Sequence, residues 1–289
     1  MAIEIAIVSG KGGTGKTTIA AAFAAISQNL VTADCDVDAP DLHILLQPDK
    51  TKTEEFQSSK VALIEPDTCT GCGLCAEKCR FEAINPPEIN TIACEGCGVC
   101  AYVCPEKAID MTPRTSGFLH ESMTRFGPMS HAKLLPGEGN SGKLVTEVRR
   151  QAQKLADKNS QDITLIDGSP GIGCPVIATV SGIKLGVIVT EPTMSGIHDM
   201  ERVMALLERF RVRTMVLVNK YDLNPENTRQ IEQICIENGV DFLGTVPFDP
   251  VMTESMVAAK TLPEFVPDHE ITHLLKSMWG KITEAVSIE

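Results

Sequence analysis

Two groups of residues in this chain carry spacings that chemistry demands. The first is Ser9-Gly10-Lys11-Gly12-Gly13-Thr14-Gly15-Lys16-Thr17-Thr18. Its GxxxxGK[ST] spacing lets the backbone turn tightly, so that successive N–H groups face the oxygens of a phosphate. Lys16 is placed to contact the β- and γ-phosphates of a triphosphate, and Thr17 to ligate Mg²⁺. Gly10, Gly12, Gly13, Thr14, Gly15, Lys16, Thr17 and Thr18 are therefore the expected nucleotide-binding residues. The second group is eight cysteines between Thr68 and Pro105: Cys69, Cys72, Cys75 and Cys79, then Cys94, Cys97, Cys100 and Cys104. Both runs read C-x₂-C-x₂-C-x₃-C. Three thiolates on a tight loop cap three irons of a cubane, and Gly71, Gly73, Gly96 and Gly98 allow backbone N–H groups to face its sulfides. Paired C-x₂-C units also hold zinc, but a zinc knuckle does not need the whole run duplicated with a proline after its last member.

The elements that must position these groups can be read from the flanks. A β-branched run, Ile3 to Val8, precedes the loop and an Ala-rich helical run, Ile19 to Ile26, follows it. That strand–loop–helix context is the one a phosphate loop requires, and the helix N-terminus adds partial positive charge. Residues 30–34 read as a second buried strand that delivers Asp34 and Asp36 to its C-terminal end, where ligands sit in open α/β sheets. The acidic stretch 36–43 then either serves that site or caps a helix at Leu42. Residues 47–60 read as an exposed connection and 61–64 as a short strand. Turns at 65–67 and 111–113 bracket an insertion over 65–111, with 1–64 and 112–289 as the two parts of the larger domain. Two antiparallel edge strands are expected at 117–122 and 132–135, and the loop 137–143 opens a helix over 144–156. Ile163 to Asp167 is a buried strand ending in an acid, followed by Gly168-Ser169-Pro170-Gly171. Further strands fall at 185–190 and 214–220, the latter closing on Asn219. The helix over 195–210 carries a core-facing stripe, and a last helix over 268–285 docks one apolar face. Cys35, Cys174 and Cys235 are expected to be buried and inert.

Composition narrows the function classes. The chain has 289 residues, 43% of them hydrophobic but only 4% aromatic, so its core leans on Val, Ile, Leu and Ala. A formal net charge of −12 argues against direct binding to nucleic acid or to anionic lipid. The opening MAIEIAIVSG reads as a strand rather than a secretory leader, and no apolar run approaches the roughly eighteen residues of a membrane span. Cytoplasmic residence without stable membrane insertion is the expectation. There, the 11 cysteines point to metal or redox chemistry rather than disulfides.

The loop, with its early Lys11, resembles the deviant Walker motif KGGxGKT of the MinD, ParA, Mrp and nitrogenase-iron-protein superfamily, and the resemblance runs the length of the chain. It implies an α/β fold, a P-loop doubly wound and mostly parallel sheet with helices on both faces. It further implies an ATP-dependent homodimer in which Lys11 reaches the partner's nucleotide. Asp36 then orients the attacking water, with Asp38 or Asp41 nearer the metal. Asp167 matches the acid that holds Mg²⁺, Gly171 the glycine that reads the γ-phosphate through its N–H, and Asn219 the residue that reads adenine. Cys174 falls at the offset of a cluster ligand in nitrogenase-iron-type reductases, with no second cysteine to match it.

The cysteine runs are similar to those of bacterial two-cluster ferredoxins, although Arg80 stands where a proline is usual. That likeness implies an inserted small α+β bacterial-type 2[4Fe-4S] ferredoxin domain, in which the fourth cysteine of each run serves the other cluster. One cluster would take Cys69, Cys72, Cys75 and Cys104, the other Cys94, Cys97, Cys100 and Cys79. Together the resemblances imply an ATPase with Lys11, Lys16 and Asp36 in catalysis, Thr17 and Asp167 on Mg²⁺, and ATP and two [4Fe-4S] clusters as cofactors. Its expected work is assembly or transfer of an iron–sulfur or other metal centre to a client apo-protein. The alternative is ATP-gated electron transfer to a redox partner protein, and a third reading is the positioning of cargo, as MinD and ParA do.

Overall fold

The computed structural model describes residues 2–27 and 29–287. The strands are β1 (Ile3–Ser9), β2 (Leu30–Asp34), β3 (Asp49–Ile64), β4 (Ile84–Asn85), β5 (Glu88–Ile89) and β6 (Ile109–Thr124). They continue as β7 (Gly127–Leu134), β8 (Ile163–Pro170), β9 (Leu185–Thr190), β10 (Arg213–Asn219) and β11 (Asp241–Val246). The helices are α1 (Lys16–Ile26), α2 (Leu42–Leu46), α3 (Leu74–Lys78), α4 (Val99–Val103), α5 (Ser141–Asn159) and α6 (Cys174–Val180). They end with α7 (Met194–Arg209), α8 (Pro225–Glu237), α9 (Pro250–Val257), α10 (Leu262–Phe265) and α11 (Glu270–Ser287).

Nine strands form one sheet in the order β11-β10-β9-β1-β8-β2-β7-β6-β3. Every registered pair from β11 across to β7 is parallel. Such strands are covered on both faces, which is why β2 and β9 are buried at every position and mostly apolar. Only Arg125 and Phe126 join β6 to β7, and so short a link connects antiparallel neighbours. The β6 and β3 strands also run antiparallel. The Thr51 hydroxyl donates to the Glu121 carbonyl, while the Thr112 hydroxyl donates to that of Val61.

Two expectations are corrected here. The stretch 47–60 is not a loop but most of β3, whose exposed polar residues carry no hydrophobic alternation to betray a strand. The strand at 132–135 is part of β7, which lies between β2 and β6 and is not an edge.

By its contacts the chain forms two compact units. The larger comprises 1–53, 119–133 and 141–289, and the smaller 54–118 with 134–140. The boundary therefore falls inside β3 and β6 rather than at 65 and 111. The reason is backbone pairing: the two strands stay joined to their ends, and the Glu65 N–H still donates to the Ala108 carbonyl at 2.8 Å.

In the larger unit the Ala-rich run of α1 packs against α2, α10 and α11. Phe23 on α1 meets Trp279 on α11 with ring centroids 5.3 Å apart, in a core that also holds Leu275, Met278 and Ile282. The last helix thus docks on its own domain. No helix among the described residues is long and apolar enough to cross a membrane. Trp279→Ala is expected to destabilise the chain by about 3–5 kcal/mol, since it empties an aromatic site in a close-packed core. Denaturant unfolding monitored by circular dichroism measures the loss.

The smaller unit is built on a repeat. Cys69, Cys72, Cys75 and Cys79 recur 25 positions later at Cys94, Cys97, Cys100 and Cys104. The backbone repeats with them. Gly73 and Gly98 both stand in the left-handed region (φ 78°) to open α3 and α4. Glu82 and Lys107 do the same at φ 50° and 53°. The Ala83 N–H donates to Cys79 Sγ, and the Ala108 N–H to Cys104 Sγ.

Candidate functional sites: a phosphate loop and two cysteine cavities

Parallel pairing brings the C-terminal ends of β1, β8 and β2 together. Asp167 stands in register with Ile7 on one side and with Asp34 on the other. Gly15, at φ 89°, turns the chain into α1, and an added Cβ there would lie 2.4 Å from Asn219 Nδ2. Lys16 follows as the first residue of α1. Its ammonium is 2.6 Å from Asp167 Oδ1, and the Thr17 hydroxyl donates to Asp167 Oδ2 at 2.7 Å. A hydroxyl and a carboxylate side by side are hard oxygen donors of the kind Mg²⁺ takes. Gly12 and Gly13 are exposed and have open space where a side chain would stand. The Thr14 hydroxyl is buried without a protein partner, a polar atom left for a ligand to satisfy.

Charge is concentrated here. Burial lowers the Lys16 pKa, but Asp167, with Asp34 and Asp36, outweighs it and holds the ammonium above its ordinary value. Burial raises the Asp34 carboxyl well above the usual range; Asp167 adds to this and Lys16 opposes it. Asp36 is pushed up to about 6, chiefly by burial, against the pull of Lys16. If Asp36 acts as a carboxylate on water, ATP turnover falls as pH drops through about 6. Asp36→Asn is then expected to lower kcat about 100-fold and to abolish that limb of the profile, a result steady-state kinetics from pH 5 to 8 would show.

Other expected site residues are placed less simply. Lys11 is held within its own chain: its ammonium is 3.4 Å from Glu191 Oε2 and within hydrogen-bond reach of Thr193 and Ser195. Gly10 is a packing glycine, because a Cβ there would lie 2.5 Å from Asp199 on α7. The Thr18 hydroxyl donates to Met256 Sδ, away from the loop. The Gly171 N–H is already committed to the Ser9 carbonyl at 2.8 Å, because β8 runs on past Asp167 to pair Pro170 with Ser9. Asn219 braces the loop, donating to the Thr14 carbonyl and accepting from the Lys220 N–H, which leaves one N–H and one lone pair for a base. Asp38 and Asp41 are exposed, and Asp41 makes no cap bond. Asp34 does that work instead, accepting the N–H groups of Asp36 and Leu42. The spacing of the acids does not assign Asp34 this organising role, although an acid ending a buried strand signals it. Cys174 is exposed at the start of α6, contrary to expectation, while Cys35 and Cys235 are buried.

The eight cysteines of the smaller unit divide between two cavities. One is lined by Cys69, Cys72, Cys75 and Cys104. The other is lined by Cys79, Cys94, Cys97 and Cys100. Each cavity thus draws three thiols from one run and the fourth from the other. Among the described residues no three His, Cys, Asp or Glu side chains gather into a single-ion site. The thiols instead ring a volume, a donor set suited to a multi-iron cluster. Gly71, Gly73 and Gly98 have open space where a Cβ would point. Burial pushes the thiols of Cys75 and Cys100 up.

A glycine loop between a strand and a helix, backed by an acid at the end of a neighbouring parallel strand, defines a P-loop nucleotide-binding protein. The chain belongs to the CobQ/CobB/MinD/ParA nucleotide-binding family, whose profile matches residues 5–262. It is 37% identical over 228 residues to an uncharacterized protein of Methanocaldococcus jannaschii, a match covering 78% of this chain and 80% of that one. It is 26% identical over 267 residues to an iron-sulfur cluster carrier protein of Pyrococcus horikoshii, covering 85% and 74% respectively. Its fold is similar to that of the septum site-determining protein MinD complexed with Mg-ADP from Pyrococcus horikoshii OT3. There the TM-score is 0.61 at 18% identity, covering 100% of this chain and 98% of that one.

Proposed function

We propose that this chain is an ATPase, a nucleotide-gated iron–sulfur protein that assembles or transfers a metal centre to a client apo-protein. The observation that carries this reading is the pair of cavities, each lined by four cysteines. Cys69, Cys72, Cys75 and Cys104 would hold one [4Fe-4S] cluster, and Cys94, Cys97, Cys100 and Cys79 the other, in the manner of a two-cluster ferredoxin inserted in the chain. When bound, such clusters supply one-electron chemistry and a transferable iron–sulfur unit. The relatives named as iron-sulfur cluster carrier proteins support the transfer role.

On this reading Lys16 and the loop amides hold the triphosphate, Thr17 and Asp167 place Mg²⁺, and Asp36 orients water toward the γ-phosphate. Two chains close on ATP, and Lys11 leaves Glu191 to neutralise charge on the partner's nucleotide. Release of Lys11 then costs one partly exposed ion pair, about 0–1 kcal/mol, which binding across a dimer readily offsets. A second reading is ATP-gated electron transfer. The crossed origin of the fourth thiol favours it, because releasing either cluster would require opening both cysteine runs.

One experiment separates the two. The chain is reconstituted without oxygen, then mixed with an apo-ferredoxin acceptor with and without Mg·ATP. Iron moving to the acceptor faster with ATP supports transfer. Retained iron with reversible bleaching on reduction supports electron transfer. Failure to bind stoichiometric sulfide overturns both.

A further inference from the structure

One cavity of the larger unit has a wall that neither site uses. It measures about 390 Å³ and is lined by His43, Lys50, His120, His131 and Lys133, with Asp49 the one acid among its lining residues. That volume lies within the range of small-molecule sites. The residues come from α2, β3, β6 and β7, and the place is not incidental. His131 stands in register with Asp34, so the cavity opens at the same edge of the sheet as the phosphate loop. Pro40 and His43 also line it, and both belong to the segment that starts at Asp36.

The chemistry of the wall selects its ligand. His120 and His131 are buried, with ring centroids 4.9 Å apart. Thr53 Oγ1 is 3.0 Å from His120 Nδ1, and Ser122 Oγ is 2.9 Å from His131 Nε2. The second ring nitrogens, His120 Nε2 and His131 Nδ1, make no hydrogen bond to the described residues. Burial holds both imidazoles below their ordinary pKa, His131 at about 3, and the Lys50 charge lowers both further. The rings are therefore neutral at pH 7. Where a hydroxyl donates to one ring nitrogen, the other bears the proton and becomes a donor. Lys50 and Lys133 are exposed and form no ion pair with the described residues. Two unpaired ammonium groups disfavour a cation, and the three histidines do not gather into a single-ion site.

We propose that this cavity binds a small polyanion, a di- or tricarboxylate or a phosphate ester, through Lys50 and Lys133 with N–H groups of His120 and His131 completing its shell. An occupant also touches Pro40 and His43, and so biases the segment that carries Asp36. Linkage then makes anion and nucleotide affinities depend on each other.

The test uses the full chain saturated with Mg·ADP, so that the phosphate loop is blocked. It is titrated separately with tricarballylate and with fructose 1,6-bisphosphate, and followed by calorimetry and by the histidine ring resonances. The expected result is saturable binding of at least one probe, with the His120 and His131 resonances shifting. The arm that saturates tells carboxylate from phosphate. In K50E/K133E, both exposed positions, affinity should fall at least ~10-fold while ADP affinity is unchanged. No saturation by either probe up to roughly 10 mM, or equal affinity in the double variant, would overturn the proposal.

Discussion

Lys16→Ala is expected to abolish ATP turnover and, separately, to cost the folded chain about 3–5 kcal/mol at neutral pH. The first effect follows from losing the one buried lysine beside the phosphate loop among the described residues. The second follows from what remains. Asp167 loses its partner at 2.6 Å, and Asp34 and Asp36 lose the charge that opposed their raised pKa values. Three carboxyl groups would then share a buried site with no counter-charge. A carboxyl whose folded pKa lies above its unfolded value stabilises the fold only while protonated, and that contribution is lost as pH rises through the folded pKa. The defect should therefore be largest above pH 7 and shrink toward pH 5. Adding Asp167→Asn should recover part of the loss, because it removes one of the stranded charges. Urea unfolding of both variants at pH 5.5 and 7.5 measures this. An equal defect at the two pH values would assign the loss to packing instead.

On the proposed cluster assignment, Cys104→Ala is expected to remove the iron that Cys69, Cys72 and Cys75 would hold, although Cys104 belongs to the other run. Iron and acid-labile sulfide should fall from about eight to about four atoms per chain, with one cluster left intact. Pairing the variants makes the test decisive. Cys104→Ala with Cys72→Ala should cost no more iron than Cys104→Ala alone, since both sit on one cavity. Cys104→Ala with Cys97→Ala should remove nearly all of it. If Cys104→Ala instead spares the Cys69 set and empties the Cys94 set, the crossed assignment is wrong. Anoxic iron analysis and low-temperature electron paramagnetic resonance distinguish the outcomes.

What could be read from the chain alone was whatever is local in sequence. The phosphate loop is a short spacing with two flanks. The apolar runs of β1, β8 and β9 are buried on both faces and announce themselves. The stripe of Ile197, Met200, Val203, Met204 and Leu207 predicted the buried face of α7. What escaped depends on partners distant in the chain. The outer part of β3 has no buried face, so only its pairing with β6 makes it a strand. The place of β7 beside β2 is a matter of strand order, which no local pattern encodes. The bonds that Gly171 and Asn219 make to Ser9 and Thr14 cross more than 150 positions, and Cys174 is exposed by its place at a helix start. The basic cavity is assembled from four elements, none informative alone.

Ser9 is a joint between two levers. Its carbonyl takes the Gly171 N–H, and its own hydroxyl donates to the Lys11 carbonyl at 2.9 Å. Any ligand that claims the Gly171 N–H must first strip it from Ser9, and the residue so released is the one anchoring the lysine two positions on.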